Sequence, residues 1–178
     1  MTKSLNWVLL AAGTVGAPAF AMQYLTVEQA QVLMFPDATV FRRQDVALTA
    51  AQMQQIERLA GVRSRSVNWR VVAALKGDLP IGYMVLDDVI GKFELISYAV
   101  GLNPDASIRQ VEILTYRESH GGEIRNPAWR KQFAGKRAPA GLALGEGIAN
   151  ISGATLSCTH VTDGVRRIAA IAQVALGK

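Results

Sequence analysis

The runs 67-VNWRVVAALK-76, 81-IGYMVLD-87, 93-FELISYAVGLN-103 and 108-IRQVEILTY-116 follow one another with only turn-length gaps. They are rich in β-branched and aromatic residues, which suit a pleated, half-buried surface. The gaps carry Lys76-Gly77-Asp78, Ile90-Gly91-Lys92 and Asn103-Pro104-Asp105, residue types that supply the dihedral angles of tight turns. None of the gaps can hold a crossover helix, so neighbouring strands must run antiparallel. The expectation is an α+β fold, a twisted antiparallel sheet over residues 66–116 flanked by helices. Alternation along Ile108, Gln110, Ile113 and Leu114 is only rough, so one sheet face should be well buried and the other partly covered by helices.

Upstream, Thr26 with Gln29 and Thr49 with Gln52 have the spacing of capping boxes. They open a short helix over 26–35, ended by Pro36, and a second over 49–60, closed by Gly61. Residues 38–48 are a strand candidate of mixed quality. Residues 22–65 thus form a helical and mixed extension before a domain at 66–178. The first 21 residues have the pattern of an export signal. Lys3 gives the positive start, residues 7–17 an apolar run, and Ala19-Phe20-Ala21 a small-x-small cleavage site. Thr14, Gly16 and Pro18 interrupt the run, which is short for a bilayer span. Cleavage after Ala21 would leave a chain that begins at Met22 and is soluble in the periplasm; retention of residues 5–20 as an anchor is the alternative.

Downstream, Ser152-Gly153-Ala154-Thr155-Leu156-Ser157 is a hydroxyl-rich elbow of small residues. Val161, Val165, Ile168, Ala172 and Ala175 then recur at helical spacing, so a helix is expected over 158–176. An elbow at a helix N-terminus can serve as a plain cap or can receive a phosphate on unpaired N–H groups. Between sheet and elbow, Gly121-Gly122 break the last strand and permit close backbone approach to a ligand. Asn126-Pro127 opens a short helix that carries Trp129 and Phe133 on one face, as core anchors. Residues 137–147 form a loop, and Gly145-Glu146-Gly147 lacks the third glycine of a dinucleotide fingerprint.

Length and composition bound the rest. The chain has 178 residues, 50% hydrophobic and 19% charged, which suits one domain with a proper core. Its net charge of +5 is spread over short pairs: Arg42-Arg43, Arg63-x-Arg65, Arg130-Lys131 and Arg166-Arg167. These read as solvated surface or as a basic rim for an anionic ligand or acidic partner. No long basic stripe or nucleic-acid module is present, so nucleic acid is not expected as a partner. The single cysteine, Cys158, excludes an intrachain disulfide and reads as a buried small hydrophobe or a redox thiol. Asp87-Asp88 reads as a solvated, turn-proximal pair, and the two histidines lie at no metal-ligand spacing.

Two segments carry a resemblance. Ser152-Gly153-Ala154-Thr155-x-Ser157 before a C-terminal helix resembles the flavinylation motif of the FMN-binding domain family. Glu118-Ser119-His120-Gly121-Gly122-Glu123, followed by Trp129, Phe133 and Gly135-Lys136, is similar to that family's Glu-Thr-Pro-Gly-Leu-Gly stretch and its Trp-x-x-x-Phe-x-Gly-Lys run. The family includes the C subunit of sodium-pumping NADH:quinone reductase and the G subunit of the Rnf complex. The resemblance implies FMN joined by a phosphoester to Thr155 and made so by a flavin transferase. It implies that Ser152 and Ser157 donate to the phosphate while Gly153 and Ala154 admit it. Glu118, Ser119, His120, Gly121 and Gly122 would line the isoalloxazine side. Ala149 stands where the family usually has Asp, three positions before the elbow Ser, and His120-Gly121-Gly122-Glu123 is more polar than the usual run. The implied role is electron transfer between redox partner proteins, soluble or membrane-bound. A flavin-dependent reductase of a small acceptor and a flavin-less binding module are the other readings.

Overall fold

The computed structural model describes residues 22–118 and 121–176. The expected export signal and the candidate residues Ser119 and His120 lie outside the described residues.

The four sequence-predicted runs form β4 (Asn68–Lys76), β5 (Leu79–Ile90), β6 (Leu95–Leu102) and β7 (Ile108–Tyr116), paired antiparallel in that order. The 22–65 segment adds to the same sheet. β1 (Met22–Gln23) pairs with β7 at one edge, β2 (Val40–Arg43) with β4 at the other, and β3 (Val46–Ala47) also with β4. The strand expected over 38–48 is therefore two short ones, broken at Gln44-Asp45, where Asp45 accepts from Arg43 Nε and from the Val71 N–H.

Helices cover both faces. α1 (Val27–Met34) begins at the expected capping box, in which the Gln29 N–H donates to Thr26 Oγ1 and the Thr26 N–H to Gln29 Oε1. Its Ala30 and Met34, with Phe35, pack on Ala74, Met84, Ala99 and Leu114. α2 (Ala50–Ala60) has the second capping box and ends at Gly61 in the left-handed conformation, φ 66°. α2 lies on the opposite sheet face with α4 (Thr155–Ile171), where Ile56, Val161, Val165 and Ile168 meet Val71, Val85, Val100 and Ile113. Adjacent strand residues such as Met84 and Val85 thus enter different cores. Covering on both sides is why the strands read as nearly continuous apolar runs.

Candidate functional site

The elbow turns into α4 earlier than its apolar periodicity indicates. Gly153 takes φ +83°, a left-handed angle that only glycine adopts freely, and the Ala154 N–H closes the turn on the Ile151 carbonyl at 3.0 Å. Thr155, Leu156 and Ser157 contain no helix breaker, so they form the first turn of α4. The residue in the cap position is Ala154, which has no side chain able to accept from the N–H groups of that turn. An uncapped N-terminus of a 17-residue helix is a partial positive charge that favours an anion.

Over that end opens a cleft of about 490 Å³, walled by Lys92, Phe93, Glu118, Gly153, Ala154, Thr155, Leu156 and Ser157. Thr155 is exposed, and Asn150 Nδ2 donates to its Oγ1 at 3.1 Å. The amide fixes the hydroxyl oxygen while leaving its proton free. Phe93 is 76% exposed and Leu156 47%, so the cleft offers apolar surface that nothing in the described residues covers. The Lys92 ammonium lies 4.9 Å from the Phe93 ring centre. Ser157 is buried at the inner wall, with its hydroxyl 3.4 Å from that of Tyr116.

Glu118 divides this cleft from a neighbouring one of about 610 Å³ bordered by Tyr24, Tyr116, Gly121, Gly122, Glu123, Arg125 and Asn126. Gly121 is at φ +82°, and a Cβ there would meet the Tyr116 hydroxyl at 2.8 Å and Ala154 Cβ at 3.1 Å. Absence of a side chain lets the segment after β7 lie directly on the elbow. Of the sequence-predicted site residues, Glu118, Gly153, Ala154, Thr155 and Ser157 meet around the first cleft. Gly121 and Gly122 border the second, and Ser152 is exposed beside the first.

The two motif segments are tied together by side-chain hydrogen bonds to the Ala149 main chain. α3 (Pro127–Arg130) is capped by Asn126, whose Oδ1 accepts from the Ala128 N–H, and it presents Trp129 edge-on to Phe133 at 5.1 Å. Trp129 Nε1 donates to the Ala149 carbonyl at 2.7 Å, and the Ala149 N–H donates to Gln132 Oε1 at 2.8 Å. Both backbone groups of the residue in the acid's usual place are therefore satisfied by the Trp129 segment, which fixes where the chain enters the elbow.

Several readings of the sequence are corrected. Phe93 is the exposed tip of the β5–β6 turn rather than the first residue of a strand. An aromatic beside Gly91-Lys92 was the available signal. Asp87-Asp88 lies within β5 rather than in a turn, and of the two only Asp88 is solvated. Asp88 pairs with Arg70 on one face; on the other, Asp87 Oδ2 accepts from the buried Tyr98 hydroxyl at 2.6 Å and faces Arg167. Arg167 is buried and donates to the Arg63 carbonyl, so Arg166-Arg167 is no surface pair. Arg130 is likewise drawn inward by the buried Glu112. Cys158 is fully buried among core residues, and burial pushes its thiol pKa up. Since the thiolate is the reactive form, a disulfide reagent at pH 8 should modify Cys158 at least about tenfold more slowly in the folded chain than in urea. Equal rates would contradict this placement.

Residues 91–170 match the model of the family described as the FMN-binding domain. FMN is the cofactor that this match indicates. Among solved structures, the chain is similar to the crystal structure of Shewanella oneidensis NqrC, at TM-score 0.49 and 16% identity, over 81% of this chain and 82% of that one. No curated protein matches the sequence. The residues of the cleft fit FMN. The bare helix end and Lys92 suit its phosphate and anionic forms, the exposed Phe93 and Leu156 suit a flat apolar ring, and the volume lies in the range of ~300–1,000 Å³ usual for such sites.

Proposed function

We propose that this chain, whose residues 91–170 match the FMN-binding domain, is an exported electron-transfer flavoprotein with FMN attached covalently through its phosphate to Thr155. The observation that carries the reading is the exposed Thr155 hydroxyl on the uncapped first turn of α4, at the wall of a cleft with apolar sides. Bound FMN supplies the electron-accepting and electron-donating chemistry. The first-turn N–H groups and the helix dipole hold the phosphate, and Asn150 orients the hydroxyl that bears it. Phe93 and Leu156 keep water from the ring, and Lys92 supplies a positive charge at the rim. Ser157 braces the helix start against β7 through Tyr116. A flavin transferase would complete the attachment from an activated flavin phosphoanhydride: the Thr155 Oγ1–P bond forms as the anhydride P–O bond breaks, the displaced phosphate departs, and the hydroxyl proton passes to a base of the transferase. Redox partner proteins would then exchange electrons at the open mouth. Export is supported by the leader-like residues 1–21, and attachment in the periplasm would retain a cofactor that is otherwise lost by dissociation.

Among the described residues the cleft walls hold one carboxylate, Glu118, which is engaged with backbone N–H groups, so these residues present no acid/base pair for a second substrate. The expected behaviour is a flavin that dithionite bleaches and air restores, with no steady-state turnover of quinones, fumarate-like acids or metal ions by the isolated protein. Sustained turnover of any of these would replace the carrier by a reductase.

A further inference from the structure

The wall of the cleft opposite α4 is the β5–β6 turn, Gly91 to Glu94, closed by the Gly91 N–H on the Glu94 carbonyl at 2.8 Å. A four-residue turn with its aromatic tip in solvent has little packing of its own. Two side chains from elsewhere tie it down. Glu118, just beyond β7, accepts the Phe93 N–H at 2.6 Å and the Glu94 N–H at 3.0 Å, both on Oε1. His160 of α4 places Nδ1 2.5 Å from the Ile90 carbonyl and 3.1 Å from that of Gly91. Both partners are acceptors, so Nδ1 carries the hydrogen. Gly91 leaves the space that the carboxylate occupies: a Cβ there would stand 2.6 Å from Glu118 Oε1. Burial disfavours the charged carboxylate, but hydrogen bonds from the backbone of Glu94, Phe93 and Lys92 outweigh it and hold its pKa below the ordinary glutamate value.

We propose that Glu118 is a positioning residue: by holding the Gly91–Glu94 turn it sets Lys92 and Phe93 as the fixed wall against which the FMN ring is placed. The assignment rests on the FMN reading of the cleft. It differs from the expectation that Glu118 lines the ring directly, because the oxygen for which bonds are seen is committed to the turn. Phosphate attachment at α4 does not depend on it, so losing the carboxylate should leave FMN on the chain while loosening the ring's enclosure.

The test compares the flavin-loaded full chain with Glu118→Ala, Glu118→Gln and Gly91→Ala. Glu118→Ala should retain wild-type flavin content yet show flavin fluorescence several-fold more quenchable by iodide. Glu118→Gln, whose amide oxygen still accepts, should restore the wild-type value. Gly91→Ala should reproduce Glu118→Ala from the other side of the contact, because its Cβ displaces Oε1. In flavin-free protein, the Phe93 and Glu94 amides should exchange with deuterium about tenfold faster in Glu118→Ala than in wild type. Unchanged quenching in Glu118→Ala, or unchanged exchange of both amides, overturns the assignment and leaves the FMN reading standing. A Gln variant that behaves like Ala also overturns it, since the charge and not the acceptor would then matter. A wild-type chain that takes up no flavin overturns the FMN reading and the assignment together.

Discussion

Thr155→Ala should fold as the wild type does and carry essentially no covalent flavin. The side chain sits at the first position of α4, is exposed, and its oxygen meets only the Asn150 amide among the described residues. Ala has a higher helix propensity than Thr, and the cap position is already Ala154, so no capping bond is lost. The net cost should stay within about 1 kcal/mol, a shift of no more than about 4 °C in Tm. Loss of flavin is then assignable to loss of the attachment oxygen. Thr155→Ser keeps that oxygen and should retain flavin, with somewhat lower occupancy because the serine hydroxyl is freer to rotate. Absorbance at the flavin band per chain, with melting curves of the three proteins, checks both parts. Full flavin on Thr155→Ala would move the attachment elsewhere.

Gly164→Ala should damage the fold itself. Gly164 lies in the middle of α4, where a Cβ would come within 1.8 Å of the Tyr98 hydroxyl. Neither side can give way cheaply. Tyr98 is fully buried, and its hydroxyl is fixed on Asp87, which also faces the buried Arg167. The helix would have to move off β5 and β6, opening the core along Val161, Val165 and Ile168. Alanine's better helix propensity offsets about 1 kcal/mol. A contact this short exceeds ordinary overpacking, so a net loss of about 3 kcal/mol is expected, roughly 6–12 °C in Tm. Tyr98→Phe removes the clashing oxygen and should partly rescue the double variant, although alone it destabilises by leaving Asp87 without that donor. Additive losses in the double variant would contradict this account of the contact.

The sheet and the first two helices were legible because local signals decide them. Short turns leave no route except antiparallel pairing, and both capping boxes form as their spacing requires. The edges were less so: β1 is two residues long, and its pairing with Tyr116 and Thr115 is a long-range event without local signature. At the site, the elbow over 152–157 stood out through Gly153 and its hydroxyls, but the other wall of the cleft did not. Lys92 and Phe93 lie about 60 residues away in sequence and reach the cleft only through the β5–β6 turn. Asp87 and Arg167 read as surface charges because they lie far apart in sequence and meet only where α4 packs on β5, with Gly164 making room beside them for the Tyr98 hydroxyl. Glu118 was singled out, but its engagement with two N–H groups depends on where the turn folds back.

The central claim is that FMN is joined to Thr155 at the start of α4, and peptide mapping of the wild-type protein tests it most directly. Trypsin cuts after Arg137 and Arg166, so Thr155 falls in the peptide 138–166. Material from a host with the flavin transferase should yield that peptide, and no other, heavier by FMN less one water, with fragment ions placing the addition on Thr155. An unmodified peptide 138–166 from such material would contradict the claim.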